Sequence, residues 1–272
     1  MPHVEYKGRK LYYEIHDESD GSSAKQPLVL IQGMGGTCRG WVPLQVPDFA
    51  RDRQVLIYDH RGVGDSEAAP GAFTTADLAD DLVGLLDALS IARVDALGVF
   101  MGGMVAQELA LQHPARLRKL VLTGTYARPD AKRRMLLEDW IGLTEAGISY
   151  EAMLRKRIVW SLQDETLEQT DLIEAMVSFA SKEPPFSPEV FVSQCRACLE
   201  HDTYDRLRGI EQETLLICGR HDQLTPPKFH RELADEIPNA RLITTHYGGH
   251  LVMVEAAERF NHSVRQFLDD ET

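Results

Sequence analysis

The sequence predicts an α/β fold: a mostly parallel sheet flanked by helices, interrupted once by a helical insertion. Two observations carry this. Short apolar runs recur along the chain, each closing in a glycine-containing turn before a helical pattern resumes. Between residues 127 and 206 that alternation stops, and only helical patterns remain.

The elements follow in order. Residues 3–16 predict an antiparallel hairpin turning near Lys7-Gly8. Residues 27–32, 54–58, 93–97, 119–123, 214–218 and 240–244 are near-continuous apolar runs. Strands of that kind are buried on both faces, which places them in a parallel sheet. Residues 75–89 carry Leu78, Leu82, Leu85, Leu86 and Leu89 at helical spacing, and residues 103–112 and 254–268 repeat the pattern. In the insertion, four helices are expected at about 130–146, 149–162, 165–181 and 187–200, punctuated by Pro129, Gly147 and Pro184-Pro185. The chain therefore divides into a core of 1–126 and 207–272 and an insertion of 127–206, expected to cover the carboxyl ends of the strands, where open α/β sheets bind ligands.

Composition narrows the function. The formal net charge of −13 repels phosphate backbones, so no nucleic-acid partner is expected. No run of apolar residues is long enough to span a membrane, and the N-terminus has no signal-peptide character. Cys38, Cys195, Cys198 and Cys218 do not form a disulfide framework, and the Cys195-x-x-Cys198 pair has neither a second pair nor nearby metal-ligand histidines. Free thiols without an export signal favour the cytoplasm. No metal or cofactor is expected: Gly33-Met-Gly-Gly is glycine-rich after a strand but lacks the spacing of a dinucleotide fingerprint.

Gly98-Val-Phe-Met-Gly-Gly103 lies between a strand and a helix. A turn that sharp strains the middle residue and lifts its side chain clear of the sheet, and the glycines on either side relieve the crowding. The side chain so presented is Phe100. Asp222 follows the fifth parallel run, in Gly219-Arg-His-Asp, and His250 follows the sixth, in Gly248-Gly-His. The three stand at strand ends in the order elbow, acid, histidine.

These segments resemble the α/β-hydrolase family, with esterase-like and enol-lactone-hydrolase-like members nearest. Gln32-Gly-Met-Gly-Gly36 is similar to its His-Gly-x-Gly oxyanion loop, Asp59-His-Arg-Gly-Val-Gly-Asp-Ser66 to its Asp-x-Arg-Gly-x-Gly-x-Ser segment, and residues 98–103 to its Gly-x-Ser-x-Gly-Gly elbow. The resemblance implies that Asp222 orients His250, that His250 takes the proton of a nucleophile, and that the backbone N–H groups of Met34 and Met101 bind an oxyanion. It also implies a serine at position 100. Phenylalanine has no lone pair and no proton to give, and Ala96 to Ala106 contains no Ser, Thr, Cys, Asp or Glu.

Three readings are open. The chain is a hydrolase scaffold whose nucleophile was replaced, in nature or by design. Alternatively it is a lyase, cyclase or isomerase that uses His250 and Asp222 as a general base, or a small-molecule binding module. In each, the ligand is expected to be small and apolar, lined by Trp41, Trp140, Trp160 and Phe179, with Met135, Met153, Met176 and Phe186 as further candidates. His60, His221 and His246 are expected to be structural, with His60 and Arg61 bracing the loop beneath the site.

Overall fold

A computed structural model of the chain describes residues 2–19, 23–68, 71–181 and 185–270. Pro184 and the side chain of Phe179 lie outside what is described. The strands are β1 (His3–Tyr6), β2 (Arg9–His16), β3 (Leu28–Ile31), β4 (Val55–Tyr58), β5 (Val94–Val99), β6 (Leu117–Thr123), β7 (Glu213–Gly219) and β8 (Ala240–Thr245). They form one sheet in the order β1-β2-β4-β3-β5-β6-β7-β8. β1 and β2 run antiparallel to their neighbours, and every pair from β4 to β8 is parallel. This is the mostly parallel sheet that the apolar runs predict.

Burial explains the order of the strands. β3, β4 and β5 are buried at every position, as strands covered on both faces must be. β8, at the edge, alternates between half-buried and exposed. The hairpin turns at Lys7 and Gly8, with φ of 49° and 73°.

The helices are α1 (Val46–Phe49), α2 (Thr75–Ala88), α3 (Met101–Gln112), α4 (Ala131–Glu145), α5 (Tyr150–Ser161), α6 (Asp164–Leu167), α7 (Thr170–Ala180), α8 (Pro188–Glu200), α9 (Pro227–Glu236), α10 (Val252–Glu255) and α11 (Ala257–Asp269). Their starts are written in the sequence. Thr74 and Asp77 close a reciprocal capping box on α2. Asp130, Ser149 and Ser187 each accept a backbone N–H three residues on, starting α4, α5 and α8. Among the described residues, no strand intervenes from α4 to α8. Two differences from the sequence reading stand out. The expected helix 254–268 is broken at Ala256, which leaves the helical region at φ −130°, ψ 39°, and the expected 165–181 helix is preceded by the separate turn of α6.

Candidate functional site

Between β5 and α3 the chain turns on a single residue. Phe100 adopts φ 47° and ψ −112°, a left-handed conformation that costs a non-glycine residue about 1–3 kcal/mol. Neighbouring backbone enforces it. The Phe100 N–H donates to the Thr123 carbonyl at 3.1 Å, and the Phe100 carbonyl accepts from Thr125 Oγ1 at 2.9 Å and from the Met104 N–H at 3.1 Å. The glycines are steric necessities. A Cβ on Gly98 would collide with the carbonyl of Gly102, one on Gly102 with the carbonyls of Ile31 and Gln32, and one on Gly103 would lie 2.7 Å from the Thr125 Cβ. The ring of Phe100 is almost wholly buried and meets His250 edge-on, centroids 5.3 Å apart, and Tyr126 at 6.1 Å.

His250 follows β8 and is stacked over Gly124, where any side chain would crowd the imidazole. Its Nδ1 lies 3.0 Å from Asp222 Oδ2 and 3.1 Å from Thr225 Oγ1. The Thr225 hydroxyl donates to Asp222 Oδ2 at 2.7 Å, and the Thr225 N–H donates to Oδ1 at 2.7 Å. The Thr225 proton is thus committed to the carboxylate, and Nδ1–H donates to Asp222. Burial pushes the Asp222 carboxyl up. The charge and hydrogen bond of His250, with the two donors of Thr225, outweigh that and hold it below the usual carboxylate range. Nε2 is left with its lone pair, and no described residue bonds to it. Thr225 was missed in the sequence. Its position three residues after Asp222, where an aspartate commonly takes the N–H of a following turn, was the signal.

A cavity of about 270 Å³ opens over this end of the sheet, and Phe100, His250, Met34, Trp41 and Trp140 all line it. Asp222 lies behind the imidazole. Met101 is fully buried at the start of α3. No described acceptor takes the backbone N–H of Met34 or Met101. Trp160 does not line the cavity: its ring lies against Lys132 Nζ at 5.1 Å. Of the further candidates, Met176 lines it, Met135 is 70% exposed, Met153 is buried elsewhere, and Phe186 stacks on Phe191. The reason is helical phase. α5 presents Leu154, Arg157, Ile158 and Ser161 to the cavity, an i, i+3, i+4, i+7 face from which Met153 and Trp160 point away.

No described side chain stands in for a nucleophile. Ser161 is the hydroxyl-bearing residue in the lining, and its Oγ donates to the Arg157 carbonyl at 2.8 Å. Cys38 is buried beside Asp59, and burial pushes its thiol far up. His60 donates through Nε2 to the Gln32 carbonyl at 2.9 Å, and Arg61 pairs with Asp81 at 2.6 Å, so these two do brace the neighbouring loops. His221 and His246 are exposed.

The loop after β3 is gripped from the insertion at both ends of one peptide. Arg157 Nη2 donates to the Met34 carbonyl at 2.6 Å, and the Gly35 N–H donates to Gln194 Oε1 at 2.9 Å. Gly35, at φ 70°, has no room for a side chain against the Arg157 guanidinium.

Residues 26–148 match the alpha/beta hydrolase fold family and residues 192–272 the TAP-like protein family. A protein of Caulobacter sp. (strain K31) named "Putative carbamate hydrolase RutD" is 33% identical over 263 residues, 96% of each chain. This chain belongs to the alpha/beta hydrolase fold family. The fold extends to solved structures. The enol-lactonase from Burkholderia xenovorans LB400 superposes with a TM-score of 0.90 at 29% identity, covering 99% of this chain and 100% of that one. A hydrolase from Pseudomonas aeruginosa PA01 gives 0.89 at 28% identity, covering 99% and 98%. No helix among the described residues is long and apolar enough to cross a membrane.

Proposed function

We propose that this chain is an alpha/beta hydrolase scaffold of the carboxylic ester or lactone class in which Phe100 occupies the nucleophile position, so that hydrolytic turnover is lost. The observation that carries the reading is the edge-on contact of the Phe100 ring with His250, at an elbow whose strained backbone is kept. The remaining parts have roles in that chemistry. His250 Nε2 is the base that would take a nucleophile's proton, Asp222 holds its tautomer, and the N–H groups of Met34 and Met101 are the donors for a developing oxyanion. Trp41 and Trp140 form apolar walls, and residues 127–206 act as a cap that excludes water. The names of the similar proteins, a carbamate hydrolase and an enol-lactonase, support the acyl-hydrolysis class.

The test is Phe100→Ser against a panel of aryl esters and lactones, beside the unaltered chain. Losing the nucleophile of such a triad costs on the order of 10⁴–10⁶ in kcat, so supplying one is expected to raise turnover at least ~10³-fold. Adding His250→Ala should remove the gain. A folded Phe100→Ser protein with no turnover on any ester or lactone refutes the reading.

One observation favours a second reading. With Nδ1 committed to Asp222, His250 presents a basic Nε2 to the cavity with no described partner, which is the arrangement of a general base. A lyase, cyclase or isomerase of this kind would lose its activity in His250→Ala and be slowed by Phe100→Ser.

A further inference from the structure

The cavity holds a fixed positive charge that no described residue neutralises. Arg157 comes from α5, lines the cavity and lies over the face of Phe191 at 5.4 Å. Its one hydrogen bond among the described residues goes to a neutral acceptor, the Met34 carbonyl. Its other N–H groups donate to no described residue, and no described carboxylate lies within ion-pair reach of it. Arg157 is half-buried, and the arginines that are fully buried are paired: Arg53 with Asp95 and Asp269, Arg61 with Asp81, and Arg133 with Asp130. Two residues earlier on the same helix, Arg155 forks onto Glu174 at 2.7 and 2.8 Å. Arg157 stands apart from all of these.

The surrounding lining does not supply the missing charge. No described Asp or Glu lines the cavity. Gln32 is engaged with the Thr37 carbonyl and the Gly33 N–H, Gln45 with the Met253 carbonyl and Asn261, and Ser161 with the Arg157 carbonyl. Burial pulls the guanidinium downward in pKa; Tyr150, Cys195 and Cys198 act against it, and no carboxylate does. An arginine does not shed its proton at neutral pH, so the charge remains. Holding an uncompensated ion in a partly desolvated site is unfavourable, and an arriving anion offsets that.

We infer that Arg157 is an anion-binding residue and that the ligand of this cavity is a small carboxylate with an apolar body. The guanidinium fork matches a carboxylate's two oxygens. Trp41, Trp140, Leu154 and Met176 enclose the rest of the molecule. The proposal adds a negative charge to the small apolar ligand that the sequence led us to expect. It deepens the proposed function by naming the ligand's chemical class, a free carboxylate such as ester hydrolysis releases or a carboxylate-bearing ester presents, and it rests on that reading only in taking this cavity as the binding site.

The test uses binding, which needs no nucleophile. Calorimetric titration of the unaltered chain with phenylacetate and 3-phenylpropionate is compared with the corresponding neutral amides. The acids are expected to bind roughly tenfold or more tighter than the amides, the worth of a hydrogen bond to a charged group. Arg157→Met should remove that preference, lowering acid affinity by more than it lowers amide affinity. Arg157→Lys, which keeps the charge and loses the fork, should retain part of it. Equal affinity for acid and amide in the unaltered chain, or no binding of either acid, overturns the inference. So does full acid preference in Arg157→Met, which would make Arg157 a clamp on Met34 and nothing more. Should Arg157→Met fail to fold, the acid-to-amide comparison in the unaltered chain and in Arg157→Lys decides. Failure here leaves Phe100→Ser turnover untouched, and an inert Phe100→Ser protein leaves acid binding untouched.

Discussion

Mild acid is expected to destabilise this protein through three histidines remote in role from the cavity chemistry. His60, His201 and His230 are enclosed, and burial pushes each from its ordinary 6.5 down to about 4. His201 is held by the hydroxyls of Thr75 and Thr203, whereas neither nitrogen of His230 has a hydrogen-bond partner. In the unfolded chain all three take protons near pH 6.5. In the native chain they resist until about pH 4. Between those values the unfolded state holds up to three more protons, so the free energy of unfolding falls as the pH falls. Three protons at about 1.36 kcal/mol per pH unit each give a slope on the order of 4 kcal/mol per pH unit. Because the slope develops only below about pH 6.5, the loss between pH 7 and pH 5 comes to roughly 5 kcal/mol, a large share of the about 5–15 kcal/mol of a typical domain. Asp222 adds to the loss only lower down, because its depressed carboxyl stays ionised until the pH drops below the usual carboxylate range. Urea unfolding at intervals from pH 7.5 to 5 measures the slope. His230→Leu should flatten it by about one proton and raise stability at pH 5, since two unpartnered buried nitrogens are removed. A midpoint that does not move between pH 6.5 and 5 would refute the reasoning.

Two further outcomes are expected. Gly98→Ala forces a methyl onto the Gly102 carbonyl and should cost about 3 kcal/mol or more, whereas Gly142→Ala, with open space around its Cα in α4, should stabilise by about 0.5–1 kcal/mol; thermal melts of the pair separate the two. Cys38, Cys195, Cys198 and Cys218 are all buried free thiols with raised pKa, so a disulfide reagent should label none in the native protein and all four in denaturant.

The sheet was legible because it rests on a coarse signal. Runs such as Leu28–Ile31 are apolar at every position, which only a strand covered on both faces tolerates. The elbow was legible because Gly98, Gly102 and Gly103 each answer a specific collision. The break at Ala256 was not: Ala is a good helix former, and the turn is imposed by how α10 and α11 pack. The cavity wall was the least legible part. Arg155 and Arg157 differ in sequence by two positions, yet one forks onto Glu174 and the other faces the cavity. Which way a helix is rolled is set by its neighbours, and α4 and α5 lack the strong apolar stripe that announces a buried face. For the same reason the large side chain of Trp160 was a poorer guide than the spacing of Leu154, Arg157, Ile158 and Ser161.

The double grip on the Met34–Gly35 peptide ties the insertion to the loop after β3. Arg157 on α5 holds the carbonyl end of that amide and Gln194 on α8 holds the N–H end, so the plane has no freedom to tilt while both helices keep their places. A shift of either helix is therefore felt at the tip of β3 without any change in the residues of the loop itself.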